Sequence, residues 1–360
     1  MKIRSLLALC IASTLAASSA PVLAQRNSNN NDKNKQQQQQ PKRSKAEQTD
    51  VDALVKAVDA VAAGQPAPSD VPVMWHSNHF VKGQGGTTYV PFTITIDRSK
   101  LPKSAVAMYV RVADKNMAPP PPPAQGKDSK DNKQPPPLPV KYAWDNVHFF
   151  DVPQDGILSR ALQVPAGDYD LFIAVKDRST DEKNPAPPKV GVLRQPLMVP
   201  DFNKAELQTS SIILARAVEP QQTAVKPEEQ QDNPYVFGPM KIVPSANGKF
   251  PKASELNVVF WIYGAGEATG GKPDVQVDYN FYQKLSSGEK YFNKTAPQAL
   301  NATTLPPEFS VAAGHQLPGS LVVPLMSFPE GDYRLEIKVT DKAAQGKTVT
   351  QNVDFSVTPS

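Results

Sequence analysis

Few residues in this sequence have both the type and the spacing that metal binding or catalysis requires. The 360 residues include four histidines and one cysteine, Cys10. His76 and His79 are three residues apart, which places them on opposite faces of a strand, and no cysteine or close acidic pair offers the other ligands of a zinc site. Neither His148 nor His315 stands beside a nucleophile motif. The sequence therefore predicts no metal site and no catalytic residue.

Two glycine-rich segments, Gly83 to Gly86 and Gly264 to Gly271, have the composition of a phosphate-binding loop. Such a loop needs a helix directly after it, because the helix N-terminus holds the phosphate. Alternating strands follow these segments instead, so we predict hairpin loops. Asp177 and Asp341 lack the acidic neighbours that a calcium site requires. We expect no cofactor, although the two carboxylates of a glycosidase can lie far apart in a sequence.

The first 24 residues have the order of a secretory signal peptide. The basic residues Lys2 and Arg4 precede an apolar run from Leu6 to Ala17, and small residues end at Ala24. The apolar run is shorter than the ~20 residues that a membrane-spanning helix needs. We therefore predict cleavage after Ala24 and an exported protein, periplasmic or secreted, with no transmembrane segment in its mature form.

Cleavage would also remove Cys10, so the mature protein would contain no disulfide. Lipid attachment at Cys10 is the alternative, but a large residue, Leu9, stands where a small one is needed. Residues 25–48 form an Asn-, Gln- and Lys-rich tail that we predict to be disordered. This basic tail is either a solvated spacer or a contact for anionic headgroups or acidic polysaccharide. The rest of the chain is slightly acidic, which argues against nucleic acid as a partner.

A short amphipathic helix is predicted over residues 49–64. Thr49 and Asp50 can cap it, and Gly64 stands at its end. Apolar residues recur at helical spacing along it, at Val51, Leu54, Val55, Val58 and Val61. We expect this stripe to dock on the helix's own domain; self-association or a partner helix is the alternative.

From Val71 onward the apolar residues alternate with polar ones, as in Val90 to Ile96, which predicts antiparallel strands with one buried face. The 37 prolines argue against long helices. Residues 165–177 recur as residues 329–341, with eight of thirteen positions identical at a constant offset of 164. An offset this long predicts two tandem domains of one fold, at 71–200 and 201–360.

Each copy of the repeat contains a Pro-x-Gly-Asp turn followed by a tyrosine, Tyr169 or Tyr333. A tyrosine at this place can bury its ring and bond its hydroxyl to the turn backbone, which is the tyrosine corner of immunoglobulin-type sandwiches. The sequence here resembles the Ig-like modules of bacterial envelope and secreted proteins. This resemblance implies an all-β fold of two tandem Ig-like antiparallel β-sandwich domains, preceded by the disordered tail and the helix, and a role in adhesion, spacing or assembly. No cysteine pair flanks the tryptophans, unlike in antibody domains.

Two features are candidates for contact with a partner. The proline-rich insert at residues 117–139 is predicted to be a stiff, exposed hairpin loop in polyproline II conformation, with a PxxP ligand as the alternative. The run from Val258 to Tyr263 is apolar on both faces. Its aromatic residues Trp261 and Tyr263 therefore either form an exposed binding face or lie buried between the two domains.

Two classes of function remain open. The first is an exported, non-catalytic envelope or extracellular module for binding, adhesion or spacing, whose partner is a protein or glycan of the cell envelope that the sequence does not identify. The second is a β-sandwich hydrolase or enzyme inhibitor acting in the periplasm or outside the cell. The sequence shows no nucleophile motif, no set of metal ligands and no phosphate loop. These observations favour the non-catalytic class, so we predict that the protein is not an enzyme.

Overall fold

The computed structural model describes residues 43–117, 141–179, 188–268 and 270–360. The predicted signal peptide (1–24), the tail as far as residue 42 and the insert from residue 118 to 139 lie outside the described residues. Helix α1 spans Lys45–Ala62, and the strands of the first half are β1 (Val73–Asn78), β2 (Val81–Lys82), β3 (Thr88–Ile96), β4 (Ala105–Asp114), β5 (Trp144–Asp151), β6 (Ile157–Val164), β7 (Gly167–Asp177) and β8 (Val190–Val199).

The second half contains twelve strands, most of them antiparallel to their neighbours. They are β9 (Gln208–Thr209), β10 (Ile213–Pro220), β11 (Val236–Phe237), β12 (Met240–Pro244), β13 (Lys249–Pro251), β14 (Glu255–Tyr263), β15 (Val275–Leu285), β16 (Gly288–Lys294), β17 (Gln298–Leu300), β18 (Leu317–Pro324), β19 (Gly331–Asp341) and β20 (Lys347–Thr358). The prediction of an all-β fold with one short helix is confirmed.

The strands of the first half form two four-stranded sheets packed face to face. In one sheet β3 lies between β1 and β2 and also pairs with β6, and the other has the order β5-β4-β7-β8. Alternate residues of both sheets meet in one apolar core, among them Phe92, Ile94, Val110, Leu171 and Ile173. This is the first sandwich.

The strands of the second half form two six-stranded sheets. One has the order β11-β12-β10-β14-β18 with β9 paired to β14, and the other has the order β13-β20-β19-β15-β16 with β17 paired to β15. A separate apolar core lies between them, containing Phe260, Tyr279, Phe281, Tyr333 and Leu335. This is the second sandwich.

The repeat in the sequence corresponds to a repeat in the sheets. The order β5-β4-β7-β8 of the first sandwich recurs as β16-β15-β19-β20 in the second. Register agrees as well, since Val106 stands opposite Asp177 in the first sandwich and Val275 stands opposite Asp341 in the second. Strands β7 and β19 thus occupy the same place in their sandwiches, at the 164-residue offset of the sequence.

Helix α1 begins four residues before its predicted start, so that assignment of residues 45–48 to the tail is wrong. Ser44 is the N-cap, and Ser44 and Glu47 form a reciprocal capping box in which the Glu47 backbone N–H donates to the Ser44 Oγ at 3.2 Å. The expected cap, Thr49, instead donates its hydroxyl to the Lys45 carbonyl inside the helix. No helix in the part of the chain that the structure describes is long and apolar enough to cross a bilayer.

The apolar stripe of α1 packs on the outer face of the sheet β5-β4-β7-β8. Leu54, Val58 and Val61 contact the outward-facing side chains of β4 and β7, which are Ala107, Tyr109, Phe172 and Ala174. Phe172 breaks the alternation of its strand in the sequence, and the structure gives the reason: the helix covers this face, so both faces of β7 are buried.

Two ion pairs with buried cations hold the helix to the sheet, and the more exposed Arg178 pairs with Glu47 at 3.0 Å. Lys176 of β7 donates to Asp50 of α1, and both side chains are at most 2% exposed. Asp50 also accepts from the Ser179 backbone N–H at 3.1 Å. Arg111 of β4 bonds to Asp59 at 2.6 Å, and its side chain is 2% exposed. Because an unpaired buried charge is costly, these pairs fix where along the sheet the helix can lie.

We expect the substitution Lys176→Met to lower the free energy of unfolding by about 3–5 kcal/mol, because Asp50 would remain buried without its partner charge. The double variant Asp50→Leu/Lys176→Met should recover most of that loss, since no buried charge is left over. Urea denaturation measures both changes.

The exposed pair between Lys241 and Glu219, at 3.3 Å, supplies the matched control. Glu219→Gln should cost less than about 1 kcal/mol, as solvent-exposed pairs do. Equal losses for Lys176→Met and Glu219→Gln would contradict the role given to the buried pair.

Candidate functional site

The junction between the two sandwiches is built on β14. Alternate residues of this strand face opposite ways: Leu256, Val258 and Phe260 belong to the core of the second sandwich. Trp261 and Tyr263 point the other way, and each is 5% exposed. Of the two alternatives for these aromatic residues, the structure places them between the sandwiches, so they do not form an exposed binding face.

The other side chains of the junction come from both sandwiches and from the segment between them. The junction consists of Phe80, Val81 and Tyr89 of the first sandwich, Phe202 of the connecting segment, and Ile213, Ala215, Tyr235, Phe237, Met240, Ile242, Val259, Trp261 and Tyr263 of the second. The ring centroid of Trp261 lies 4.7 Å from that of Phe237, and that of Tyr263 lies 5.0 Å from that of Phe202. Tilted and edge-on contacts of this kind add to the stabilisation from burial alone.

Polar groups in the junction are paired across it. The Tyr263 hydroxyl accepts from the Lys82 backbone N–H at 3.0 Å, and the Tyr89 hydroxyl donates to the Pro234 carbonyl at 3.0 Å. The Ser211 backbone N–H donates to the Phe80 carbonyl at 2.9 Å. Burial raises the pKa of the Tyr263 hydroxyl, which stays neutral. These bonds give partners to backbone groups in and beside the short strand β2 and to the Pro234 carbonyl, which lie in the junction.

Residues 227–233 of the second sandwich, here called the latch, reach over the first one. The Ala161 backbone N–H of β6 donates to the Gln231 carbonyl at 3.1 Å, and the Asn146 amide of β5 donates to the Gln231 side chain at 2.8 Å. Asp232 lies 3.0 Å from Nε of Arg160. The latch therefore contacts one strand from each sheet of the first sandwich.

The four histidines lie in four separate places. His76 is exposed and bonds to Thr95, His315 accepts from the Ser310 backbone N–H at 3.1 Å, His79 shares a 2.9 Å hydrogen bond with Tyr235, and His148 lies 3.7 Å from Asp232. Within residues 43–117, 141–179, 188–268 and 270–360, no three His, Cys, Asp or Glu residues are grouped closely enough to hold a metal ion.

Two of the histidines have shifted pKa values. Burial lowers the pKa of His79 to about 4. The pKa of His148 is also lowered to about 4, chiefly by burial and further by the Arg160 cation, while Asp232 opposes the shift. Both rings are therefore neutral at pH 7, and both belong to contacts between the sandwiches.

The glycine-rich segment Gly264 to Gly271 is not a hairpin, which corrects the prediction. It joins β14 to β15, and these strands belong to different sheets. Asp341 is fully buried and accepts from the Gly266 backbone N–H at 2.7 Å and from Ala343 at 3.0 Å, so it orders this connection. The other segment, Gly83 to Gly86, does join the antiparallel pair β2 and β3.

The two repeated tyrosines have the same geometry. The Tyr169 hydroxyl donates to the Pro165 carbonyl at 3.2 Å, and the Tyr333 hydroxyl donates to the Pro329 carbonyl at 2.7 Å. Their rings lie in the cores of the first and the second sandwich respectively. Burial raises the pKa of Tyr333 to about 12. Each tyrosine ties the turn before its strand to the core, and neither reaches the junction.

We expect Trp261→Ala to cost about 3–5 kcal/mol, because it leaves a cavity between the sandwiches next to Phe237. It should also loosen their relative orientation. Spin labels on Lys103→Cys and Lys290→Cys, one in each sandwich of a chain that begins at Gln25 and so lacks Cys10, should give a narrow distance distribution that broadens in Trp261→Ala.

Met198→Ala is the control, since Met198 is 75% exposed on β8 and should change neither stability nor the distance distribution. An unchanged distribution in folded Trp261→Ala would show that the aromatic cluster does not hold the sandwiches together.

We expect stability to fall as the pH drops from 6.5 towards 5. The folded-state pKa values of His79 and His148 are about 4, below the ~6.5 of an unfolded chain, so unfolding takes up protons in this window. Each histidine contributes at most about 1.4 kcal/mol per pH unit. The variant His79→Gln/His148→Gln should show a shallower loss in urea denaturation between pH 7 and 5. Equal slopes for the wild type and the double variant would contradict the assignment.

No protein-family model and no curated protein matches the sequence. Among solved structures, the chain is similar to Escherichia coli alpha-2-macroglobulin activated by porcine elastase, at 11% identity and a TM-score of 0.21 over 80% of this chain and 22% of the other. It is also similar to the beta-glucuronidase of Bacteroides uniformis, at 8% identity and a TM-score of 0.23 over 76% of this chain and 26% of the other. The chain spans about a quarter of the length of each, and neither similarity carries an argument about function.

Proposed function

We propose that this protein is an exported, non-catalytic module protein that contacts a protein or glycan of the cell envelope and keeps it at a fixed distance. Its signal peptide would be cleaved after Ala24. The observation that carries this proposal is the junction: Trp261 and Tyr263 are buried where the two sandwiches meet. Interfaces between domains that move are usually polar and loosely packed, whereas this one has an aromatic core.

A fixed spacing also needs contacts away from the centre of the junction. The latch supplies them, because Gln231 and Asp232 contact β5 and β6 at the side of the first sandwich. Rotation of one sandwich on the other would break the aromatic contacts and the latch contacts together. The two modules therefore present their outer faces in one relative orientation, as a spacer or an adhesion protein requires.

Three buried or partly buried side chains of reactive type are engaged in structural contacts, which supports a structural role for them. His79 bonds to Tyr235, Asp341 orders the β14–β15 connection, and Lys176 pairs with Asp50. A catalytic group instead faces a cleft where it can reach a substrate. These pairings favour contact and spacing over turnover.

The test follows the untagged protein in an exporting cell. We expect it in the periplasmic or extracellular fraction with Gln25 as its first residue, and we expect purified protein to capture one envelope component reproducibly. An N-terminus at Met1 in the cytoplasm would overturn the proposed export. Steady turnover in a panel of glycosidase, esterase and peptidase substrates, abolished by one polar substitution, would overturn the non-catalytic assignment.

A further inference from the structure

Among the residues that the structure describes, no helix or strand covers the outer face of the sheet β13-β20-β19-β15-β16 in the second sandwich, whereas α1 covers the equivalent face in the first sandwich. The matched register identifies the equivalent positions on the two sheets. The helix-covered positions of the first sandwich are Ala107, Tyr109, Phe172 and Ala174, and their equivalents in the second are Gln276, Asp278, Glu336 and Lys338. The apolar surface on which α1 packs in the first sandwich is thus replaced by a polar surface in the second.

Four side chains form a row across this open face, here called the platform. In order across the sheet, the row consists of Tyr291 of β16, Tyr282 of β15, Arg334 of β19 and Asp354 of β20, and each residue stands directly opposite the next. The Tyr291 side chain is exposed, at 51%, and its ring centroid lies 5.8 Å from that of Tyr282 in an edge-on contact. The Arg334 guanidinium lies 4.2 Å from the Tyr282 ring centroid. The platform therefore offers an exposed aromatic ring held in place by its neighbours.

The next row along the strands lines a shallow depression of ≈ 260 Å³. Lys284 stands opposite Asp332, which stands opposite Ser356. The Ser356 hydroxyl donates to Asp332 at 2.6 Å, and Lys284 donates to Asp354 at 2.6 Å. Since Asp354 belongs to the platform and also lines the depression, the two are parts of one continuous surface.

We propose that the platform and the depression together bind a neutral glycan. A pyranose ring presents a face of C–H groups that can lie on Tyr291, and its hydroxyl groups both donate and accept hydrogen bonds. The carboxylates of Asp332 and Asp354 can accept such bonds, the Lys284 ammonium can donate them, and the Ser356 hydroxyl can do either. This inference rests on the proposed function in one respect: the proposed function includes glycans among the possible partners.

The charges of this surface favour a neutral ligand over an anionic one. The two rows contain three carboxylates, Glu289, Asp332 and Asp354, and two cations, Lys284 and Arg334. Both cations are already paired, Lys284 with Asp354 at 2.6 Å and Arg334 with Glu289 at 2.9 Å. An anionic ligand would have to displace these carboxylates.

A peptide fits this surface less well than a glycan does. Extended peptides bind to the edges of sheets, where unpaired backbone groups are available, and this face offers only side chains. An amphipathic helix needs an apolar seat such as the one α1 occupies on the first sandwich, and polar residues stand at the equivalent positions here. One exposed ring among paired polar groups is suited to a sugar.

The test is electrophoresis of the mature protein in native gels that contain hydroxyethylcellulose, galactomannan or glycol chitin, with alginate as an anionic polymer. We expect at least one of the first three to retard the wild type, and we expect Tyr291→Ala to migrate like the wild type in alginate, because any contact of the basic tail with an acidic polysaccharide does not involve Tyr291. Tyr291→Ala should raise the dissociation constant about tenfold, equivalent to ~1.4 kcal/mol. Tyr291→Phe should retain binding, because it keeps the ring.

Met326→Ala is the matched control, since Met326 is 72% exposed in the same sandwich and belongs to neither row. It should leave retardation unchanged, and unchanged melting temperatures will show that all variants fold. The proposal is overturned by no retardation in the three neutral gels, by retardation in alginate alone, or by equal losses for Tyr291→Ala and Met326→Ala. Capture of a protein that depends on Tyr291, with no glycan bound, would make the face a protein interface instead. Enzymatic turnover of a substrate, or a cytoplasmic location, would refute the proposed function. Neither result would affect the conclusion on glycan binding drawn from the gels.

Discussion

The burial of both faces of β14 is the constraint on which the arrangement of the whole molecule depends. An antiparallel strand at the surface normally has one wet face, and β14 has none. Its Phe260 face completes the core of the second sandwich, and its Trp261 face has to be covered by something else. Phe237 of the same sandwich and Phe202 of the connecting segment cover part of that face, and Phe80, Val81 and Tyr89 of the first sandwich complete the cluster, so residues of both modules remove it from water. Two similar domains in tandem thus become one structural unit.

The same requirement appears a second time, on the other side of the first sandwich. There the outer face of the sheet contains Phe172 and Ala174 together with two charged residues, Arg111 and Lys176, and α1 buries all four. The apolar residues supply most of the free energy of helix docking. The charged residues determine where on the sheet the helix lies, because each has a partner at only one position on the helix. Burial of apolar area and pairing of charge therefore act on the same surface with different consequences.

Alternation along the chain was sufficient to predict the longer strands and the all-β fold, and residue identity at a constant offset revealed the internal repeat, because both can be read directly from the sequence. The run from Val258 to Tyr263 is apolar on both faces, which the sequence shows. Whether Trp261 and Tyr263 are exposed or buried between the domains depends on what lies across the junction, which the sequence does not show. The start of α1 was misplaced because Ser44 and Glu47 stand beside a polar tail, where a capping box is easily read as more tail. The latch could not be predicted, since Gln231 and Asp232 look like any exposed loop until the first sandwich is beside them.

Comparison of the two sandwiches at equivalent positions separates the residues that make the fold from those that distinguish the modules. Tyr169 and Tyr333 perform the same task, each tying a turn to its own core through a proline carbonyl. The outward positions have diverged instead: Phe172 faces a helix, and its equivalent Glu336 faces solvent. Inward positions are constrained by packing in both sandwiches, whereas an outward position is constrained only by what covers it. The outer faces are therefore where two modules of one fold can acquire different roles, one as the seat of α1 and the other as a surface open to a ligand.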